Sequence, residues 1–324
     1  MDGLYRDYGQ YLAERFEGKV QKISINAGNS CPNRDGTIGR GGCLYCNNAA
    51  FVPGYVEASE PVARQLAKGI AFFARKYPTM RYLAYFQANT STNTSAERFI
   101  RQVEEATRVD GVAGIVVGTR PDCVSDALLD RLAAINDASM PVIMEYGAES
   151  SHDATLSLIN RGHRWSDTVR AVQATAQRGM DVGLHLIMGL PGEDEAMMMQ
   201  TIDRVDALPV SSVKLHQLQI IDGTALARLY ARQQSGEAID FPPITVFGLD
   251  EYVDLCVHIV RRLRPDIAID RFVSSSPASM LVTPRWGLKN YEFTALVRAR
   301  LAKEGAMQGQ NRCQMYGKDE NRAE

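Results

Sequence analysis

The sequence predicts an α/β fold: a partial (β/α)6 TIM-type barrel, open on one side, with a small α-rich C-terminal extension. Three observations predict it. Short apolar runs alternate six times with amphipathic helical patterns, as in a mostly parallel sheet with helices packed outside. Glycine-rich and polar stretches follow the strands, at the face where parallel α/β folds place their chemistry. A length of 324 residues is long for one compact domain and short for three, which suits a core with an addition. Six such units make either an open sheet or most of a barrel.

The predicted strands are KISIN (22–26), RYLAYFQ (81–87), GIVVGT (114–119), VIMEYG (142–147), DVGLHLIMG (181–189) and VKLHQLQI (213–220). Pro61 sits where a first helical turn accepts proline, and Ser95 is placed to cap the next helix. DALLDRLAAIND, HDATLSLINRG, WSDTVRAVQATAQRG and EAMMMQTIDRVDAL carry the remaining helical patterns, and Met197, Met198 and Met199 read as a core-packing face. The strand ends lead into a cysteine loop, QANTSTN, TRPD, GAESS and GLPGE. After Ile221 the alternation weakens. DGTALARLYARQQ, TVFGLDEYVDLCVHIVRRL and EFTALVRARLAKEG read as helices, IAIDRF as a candidate strand and SSSPASMLVTPRWGLKN as a loop. This divides the chain into an N-terminal segment (1–20), a core domain (21–230) and a C-terminal extension (231–324), whose last residues, GKDENRAE, read as disordered.

Apolar residues make up 45% and charged residues 23%, as in an ordinary cytosolic globular protein. A net charge of -2 creates no global field for nucleic acid. From Arg261 onward, twelve lysines and arginines face seven acidic residues, an excess of +5 that leaves -7 over the rest. Such a tail points to a polyanionic partner or to a solvated basic face. No apolar run approaches the ~20 residues of a membrane span, and the charged N-terminus has no signal-peptide core. The expected location is therefore the cytoplasm, with no membrane partner. Structural disulfides are rare there, so clustered cysteines read as metal or redox groups.

Three of the six cysteines lie in CPNRDGTIGRGGCLYC, between Cys31 and Cys46. Gly28, Gly36, Gly39, Gly41 and Gly42 mark this stretch as a loop. Three readings compete. The cysteines are small buried hydrophobes, or zinc ligands lacking a nearby fourth partner, or thiolates on an iron–sulfur cluster with one iron left open. Cys123, Cys256 and Cys313 are scattered, and no second cluster is expected.

The spacing Cys31-x11-Cys43-x2-Cys46, with Tyr45 before the last cysteine, resembles the radical S-adenosylmethionine (SAM) superfamily, with the longer first gap of its elongator-like branch. GAESSHDATLSLINRGH (147–163), HLIMGLPGE (185–193) and KLHQLQIIDGT (214–224) resemble further segments of that branch, over roughly residues 20–230. INAGNSCPNRDG, YFQANTSTN, GTRPDCV and PRWGLK are similar to a bacterial family within it, some of whose relatives are linked to the tRNA wobble uridine.

The resemblance implies that Cys31, Cys43 and Cys46 hold a [4Fe–4S] cluster whose open iron is closed by SAM. One electron from reduced flavodoxin or ferredoxin would then cleave SAM to a 5′-deoxyadenosyl radical that abstracts a hydrogen from substrate. Tyr45 would approach the adenine. Gln87, Ala88 and Asn89 take the place of the Gly-Gly-Glu segment that receives the methionine amino group, here without its glutamate. Glu149 stands where the branch usually has glutamine, and Arg161 matches the arginine that grips the methionine carboxylate. His185 would face the ribose, where aspartate is more usual, and Gly189–Gly192 would shape the turn beside the adenine. Glu145, Lys214 and His216, on strands four and six, are the substrate-side candidates for catalysis, set against a buried polar network. The implied substrate is tRNA. The alternatives are the same chemistry on a small molecule or protein, or a zinc-stabilised binding module without turnover.

Overall fold

The computed structural model describes residues 3–51, 53–75, 79–137 and 139–311. Its strands are β1 (Val20–Ile25), β2 (Arg81–Phe86), β3 (Val112–Thr119), β4 (Val142–Glu149), β5 (Asp181–Met188), β6 (Ser212–Gln217), β7 (Ile220–Ile221), β8 (Ala268–Arg271) and β9 (Leu281–Thr283). Seven of them form one parallel sheet in the order β1-β2-β3-β4-β5-β6-β8, curled into a half-barrel. The helices are α1 (Tyr8–Ala13), α2 (Pro32–Asp35), α3 (Val62–Ala74), α4 (Ala96–Thr107), α5 (Asp126–Ala133), α6 (Asp153–Leu158), α7 (Trp165–Ala176), α8 (Glu195–Asp206), α9 (Ala225–Gln234), α10 (Leu249–Arg262) and α11 (Asn290–Glu304).

Strand residues alternate between two layers, as the two-residue period of a strand requires. Ala84, Phe86, Met144, Tyr146, Leu184 and Leu215 join the large core between the sheet and its helices. The other face turns inward. At the bottom, Tyr8, Tyr11 and Phe16 from the N-terminal segment pack with Leu83, Ile143 and Ala268, an apolar plug distinct from the outer core. Residues 8–20 thus seal one end of the half-barrel, and Arg15 pins them there through Asp181 (Nε to Oδ2, 2.5 Å).

Ser95 caps α4, its side chain accepting from Arg98 N, while Pro61 sits one residue before α3 as its N-cap and not inside its first turn. The predicted sixth strand breaks in two. β6 ends at Gln217, and β7 turns away to pair antiparallel with β9, inside what the sequence reads as loop. A seventh parallel strand, β8, comes from IAIDRF in the C-terminal extension, so the sheet exceeds the six predicted. Tyr252, Phe293 and Val297, on α10 and α11, share the outer core with Ile269. GKDENRAE and Cys313 lie outside the described residues. Among the described residues, no helix is long and apolar enough to cross a membrane.

Candidate active site

The C-terminal ends of the strands enclose a cavity of about 270 Å3. One wall is the cysteine loop. Cys31 is the N-cap of α2, and Cys43 is buried. Amide side chains staple this loop to the rest of the fold. Asn160 Nδ2 donates to Gly42 O at 2.7 Å, and Asn33 Nδ2 donates to Asn160 O. Leu44 exchanges backbone bonds with Ile159 (3.0 Å) and Leu226 (2.9 Å), and Arg34 Nη2 donates to Cys46 O at 2.9 Å. Asn29 Nδ2 reaches Ser91 O at 2.6 Å and receives Asn89 at its carbonyl at 3.2 Å, tying in the loop after β2.

Behind the thiols, Arg161 is buried with four partners. Nη1 donates to Cys43 Sγ at 3.5 Å, Nη2 to Gly147 O at 2.7 Å, Nε to His163 Nε2 at 3.0 Å, and Glu149 Oε1 lies 3.3 Å from Nη2. Arg120, clamped by Asp122, donates to Arg161 O at 2.7 Å and fixes that backbone. Glycine at 147 is required for this packing: a Cβ would lie 2.7 Å from Arg161 Nη2 and 2.8 Å from Glu149 Oε1. β4 bulges between Gly147 and Glu149, and Glu149 takes φ +65°, a left-handed conformation of the kind that concentrates at functional sites.

The floor of the cavity is ionic. Glu145 on β4 receives Lys22 Nζ at 2.6 Å, Lys214 Nζ at 3.0 Å, Tyr85 OH at 2.7 Å and His185 Nε2 at 2.9 Å. Asp270 on β8 binds Lys22 at 3.0 Å and Lys214 at 3.3 Å. Lys22 therefore bridges β1 and β8, the two edges that share no strand pairing. The ring of Tyr8, from the plug, lies 4.4 Å from the Lys22 ammonium. His216 Nδ1 meets Ser274 Oγ at 2.5 Å.

Burial alone would push the Glu145 carboxyl up, but Lys214, Lys22 and His185 outweigh it and hold it well below the usual range. Asp270 is held low in the same way by Lys214 and Lys22. The two lysines diverge although they share these carboxylates. Burial lowers both, yet Asp270 and Glu145 carry Lys22 well above its ordinary value, while for Lys214 burial, joined by Lys22 and Arg271, prevails. His216 is kept neutral by burial and then by His185, Arg271 and Lys214; burial and Lys214 lower His185 likewise.

The structure brings the predicted cluster, SAM and substrate-side residues to this one cavity: Cys31, Cys43, Cys46 and Tyr45 from the loop, Gln87, Ala88 and Asn89 after β2, Glu145 and Glu149 on β4, and Arg161, His185, Lys214 and His216. Gly189–Gly192, expected beside the adenine, do not line it: a Cβ at Gly189 would meet Phe247 and one at Gly192 would meet Pro242. Gln87 is fixed by Ser24 Oγ at 2.9 Å. Cys123 and Cys256 do not line it, and burial, then Asp122, push the Cys123 thiol up to about 12. Sequence reasoning missed Lys22, Tyr85, Asp270 and Arg271. Their only signal was an isolated charge or hydroxyl inside an apolar strand. Among the described residues, several cations of the basic C-terminal extension are paired. Arg262 pairs with Asp203, Arg264 with Asp266, Arg298 with Asp7 and Arg300 with Asp254.

The cysteine wall fits an iron–sulfur cluster. Its thiols form no disulfide, and cationic or amide N–H groups from Arg161 and Asn33 (3.7 Å) aim at Cys43 Sγ, as suits a thiolate ligand. Among the described residues, no group of three or more Cys, His, Asp or Glu side chains is already gathered around a single metal-ion position.

Residues 25–205 match the radical SAM superfamily, and residues 210–303 match the radical SAM C-terminal domain. Protein YhcC of Escherichia coli strain K12 is 38% identical over 283 residues, 87% of each chain. A tRNA uridine(34) acetyltransferase of Methanocaldococcus infernus is 26% identical over 230 residues, 68% of this chain and 40% of that protein. The solved structure of the archaeal Methanocaldococcus infernus Elp3, with an N-terminal deletion, superposes with a TM-score of 0.64 at 17% identity. It covers 92% of this chain and 66% of that one, and at this identity the likeness is one of fold.

Proposed function

The chain belongs to the radical SAM superfamily, in the group that includes Escherichia coli YhcC, and from that membership we propose that it is a radical SAM enzyme acting on tRNA, at a wobble uridine. The family uses a [4Fe–4S] cluster and SAM, and its members need an external reductant. Reduced flavodoxin or ferredoxin is the proposed donor. The bound pair supplies one-electron chemistry that removes a hydrogen atom from substrate.

The observation that carries the reading is that one cavity joins the three thiols to a set of polar side chains. Cys31, Cys43 and Cys46 are proposed to hold the cluster, with Arg161 and Asn33 moderating the charge on Cys43. Arg161 has one N–H left uncommitted, on Nη1, and gains a fork by releasing Glu149. It would then take the methionine carboxylate, and the freed Glu149, beside Gln87, Ala88 and Asn89, would take the ammonium. Tyr45 and His185 are assigned to the adenine and ribose. Glu145 holds Lys214 and His185 in place and Ser274 holds His216, so Lys214 and His216 would present fixed polar atoms to the substrate.

Similarity to a tRNA uridine(34) acetyltransferase supports the tRNA substrate. A small free molecule is the second reading, favoured by the ionic floor of a 270 Å3 chamber. Mass spectrometry of tRNA nucleosides and of metabolites, from wild-type and deletion strains, separates them. A modified nucleoside lost in the deletion supports tRNA. An unchanged nucleoside profile with an accumulating metabolite overturns it in favour of the small molecule.

A further inference from the structure

The charges on the cavity floor do not balance. Lys22, Lys214 and Arg271 meet there against two carboxylates, Glu145 and Asp270. Both carboxylates are already engaged by the lysines. Arg271 is left with its own neighbour, Nε to Asp270 Oδ1 at 4.0 Å, and no hydrogen bond holds its guanidinium among the described residues. The histidines are held neutral and add no further positive charge.

Arg271 lines the cavity beside Ser274 and His216. With His216 Nδ1 on Ser274 Oγ, its Nε2 has no partner among the described residues. Arg271 and Lys214 are register partners on adjacent strands, so the two cationic heads arise from neighbouring positions on the β6–β8 wall. Arg271 keeps 39% of its side chain exposed, so its guanidinium is open to a ligand entering the cavity. A guanidinium fork beside the neutral His216–Ser274 pair, which leaves one donor for a ligand (His216 Nε2–H when Ser274 Oγ donates to Nδ1), matches a carboxylate or a phosphate.

We propose that Arg271, with Ser274 and His216, forms a subsite that receives an anionic oxygen group of the substrate, carboxylate or phosphate. The inference rests on this cavity being the substrate chamber of the radical enzyme, and it names the substrate's chemical class. A free acidic metabolite and a nucleotide phosphate within RNA offer the same chemistry.

The test is isothermal titration of the full chain, cluster-reconstituted, unreduced and saturated with SAM under nitrogen. Saturation fills the Arg161 side of the cavity, so the probes report elsewhere. The probes are inorganic phosphate, acetate, uridine 5′-monophosphate and uridine. The proteins are wild type, Arg271→Gln, Arg271→Lys and, as an outside control, the exposed Arg108→Gln. An anionic probe should bind wild type and Arg108→Gln alike, about ten-fold or more weaker to Arg271→Gln, with partial rescue in Arg271→Lys. Uridine 5′-monophosphate binding better than uridine, with the advantage lost in Arg271→Gln, supports the subsite with a nucleotide source. Phosphate or acetate binding that depends on Arg271, without that advantage, supports it with a free metabolite. No binding of any anion to wild type, or an affinity unchanged in Arg271→Gln at wild-type melting temperature, overturns it. If Arg271→Gln melts early, the comparison passes to Arg271→Lys, where unchanged bidentate-type affinity overturns it equally. Failure of the tRNA assignment appears in the nucleoside profile and leaves this titration unaffected.

Discussion

At the mouth of the cavity, the cysteine loop is held by backbone groups and by the amides of Asn29, Asn33, Asn89 and Asn160. At the floor, the contacts centre on four formal charges, Lys22, Glu145, Lys214 and Asp270. The amide staples fix position without adding charge, which suits a wall whose ligands must hold one geometry. The floor sets an electrostatic environment instead, and its cost is met only while every partner is present. On the proposed reading, the first region serves the cofactor common to the superfamily and the second the substrate.

The comparison breaks most sharply on deletion of a ligand. Alanine at Cys31, Cys43 or Cys46 should abolish bound iron and sulfide after reconstitution, while Cys256→Ala should leave both at wild-type levels. Iron, sulfide and the visible absorption of the thiolate-bound cluster are the measurements. The floor should stay folded in all four variants. Cluster retained in Cys31→Ala would show that the wall tolerates a missing ligand, contrary to its fixed construction.

Glu145→Gln should have the largest effect on stability. It removes the buried carboxylate shared by Lys22 and Lys214 and leaves both on Asp270 alone. Breaking a buried pair by removing one partner costs about 3–5 kcal/mol. Urea unfolding monitored by circular dichroism reads this, with cluster content of the folded fraction unchanged. A loss below about 1 kcal/mol, within the range of exposed ion pairs, would mean that water screens the floor.

The two regions also differ in acid. Burial, then the charge of Arg161, lowers His163 beside the cysteine wall to about 4. The unfolded chain binds that proton near pH 6.5 and the folded chain does not until about 4, so stability is full above the unfolded value and falls between the two, by ~3 kcal/mol in total. His185 and His216 on the floor, also lowered, lose stability in the same direction. Glu145 and Asp270 act in a lower window, because their carboxyls are held below the usual range. Their contribution is present above about pH 4 and lost as pH falls further. Urea midpoints across this range should therefore show two declines. His163→Asn should flatten the upper one alone and Glu145→Gln the lower. A single decline confined below about pH 4 in the wild-type chain would contradict the burial of neutral histidines.

The difference between the regions also governs what was legible in the sequence. The cysteine wall lies within one stretch of sixteen residues, so spacing marked it as a cysteine cluster, and the further motif segments carried the family resemblance. The partial barrel was legible because each strand declares itself locally by an apolar run. Lys22, Tyr85, Glu145, His185, Lys214 and Asp270 come from six different strands and meet only when the sheet curls. Of these, Glu145, His185 and Lys214 were found because they lie in or beside motif segments, while Lys22 and Asp270 carry no local pattern. β8 was seen only as a candidate strand, and β9 hid in a loop, because three or four residues give too little periodicity. The carboxylates that pair described cations of the basic tail, Asp7, Asp203 and Asp254, are distant in sequence and were not legible from its local charge count.

The smallest expected effect, and the finest test of the cofactor wall, is Arg161→Lys. The lysine keeps a charge near Glu149 but cannot reproduce the fork that also reaches Gly147 O and Cys43 Sγ. If Arg161 takes the methionine carboxylate, one charge-assisted hydrogen bond of about 1.5–3 kcal/mol is lost, and SAM affinity falls roughly ten- to a hundred-fold. The measurement is calorimetric titration of the reconstituted, unreduced variant under nitrogen. The melting temperature should fall too, because the guanidinium is buried with four protein partners. His163→Asn separates the two effects, since it removes the partner of Nε and leaves Nη1 and Nη2 untouched. It should lower the melting temperature while keeping SAM affinity near wild type. Unchanged affinity in Arg161→Lys, with only the melting temperature lowered, would make Arg161 part of the wall's scaffold and move the carboxylate contact to another residue.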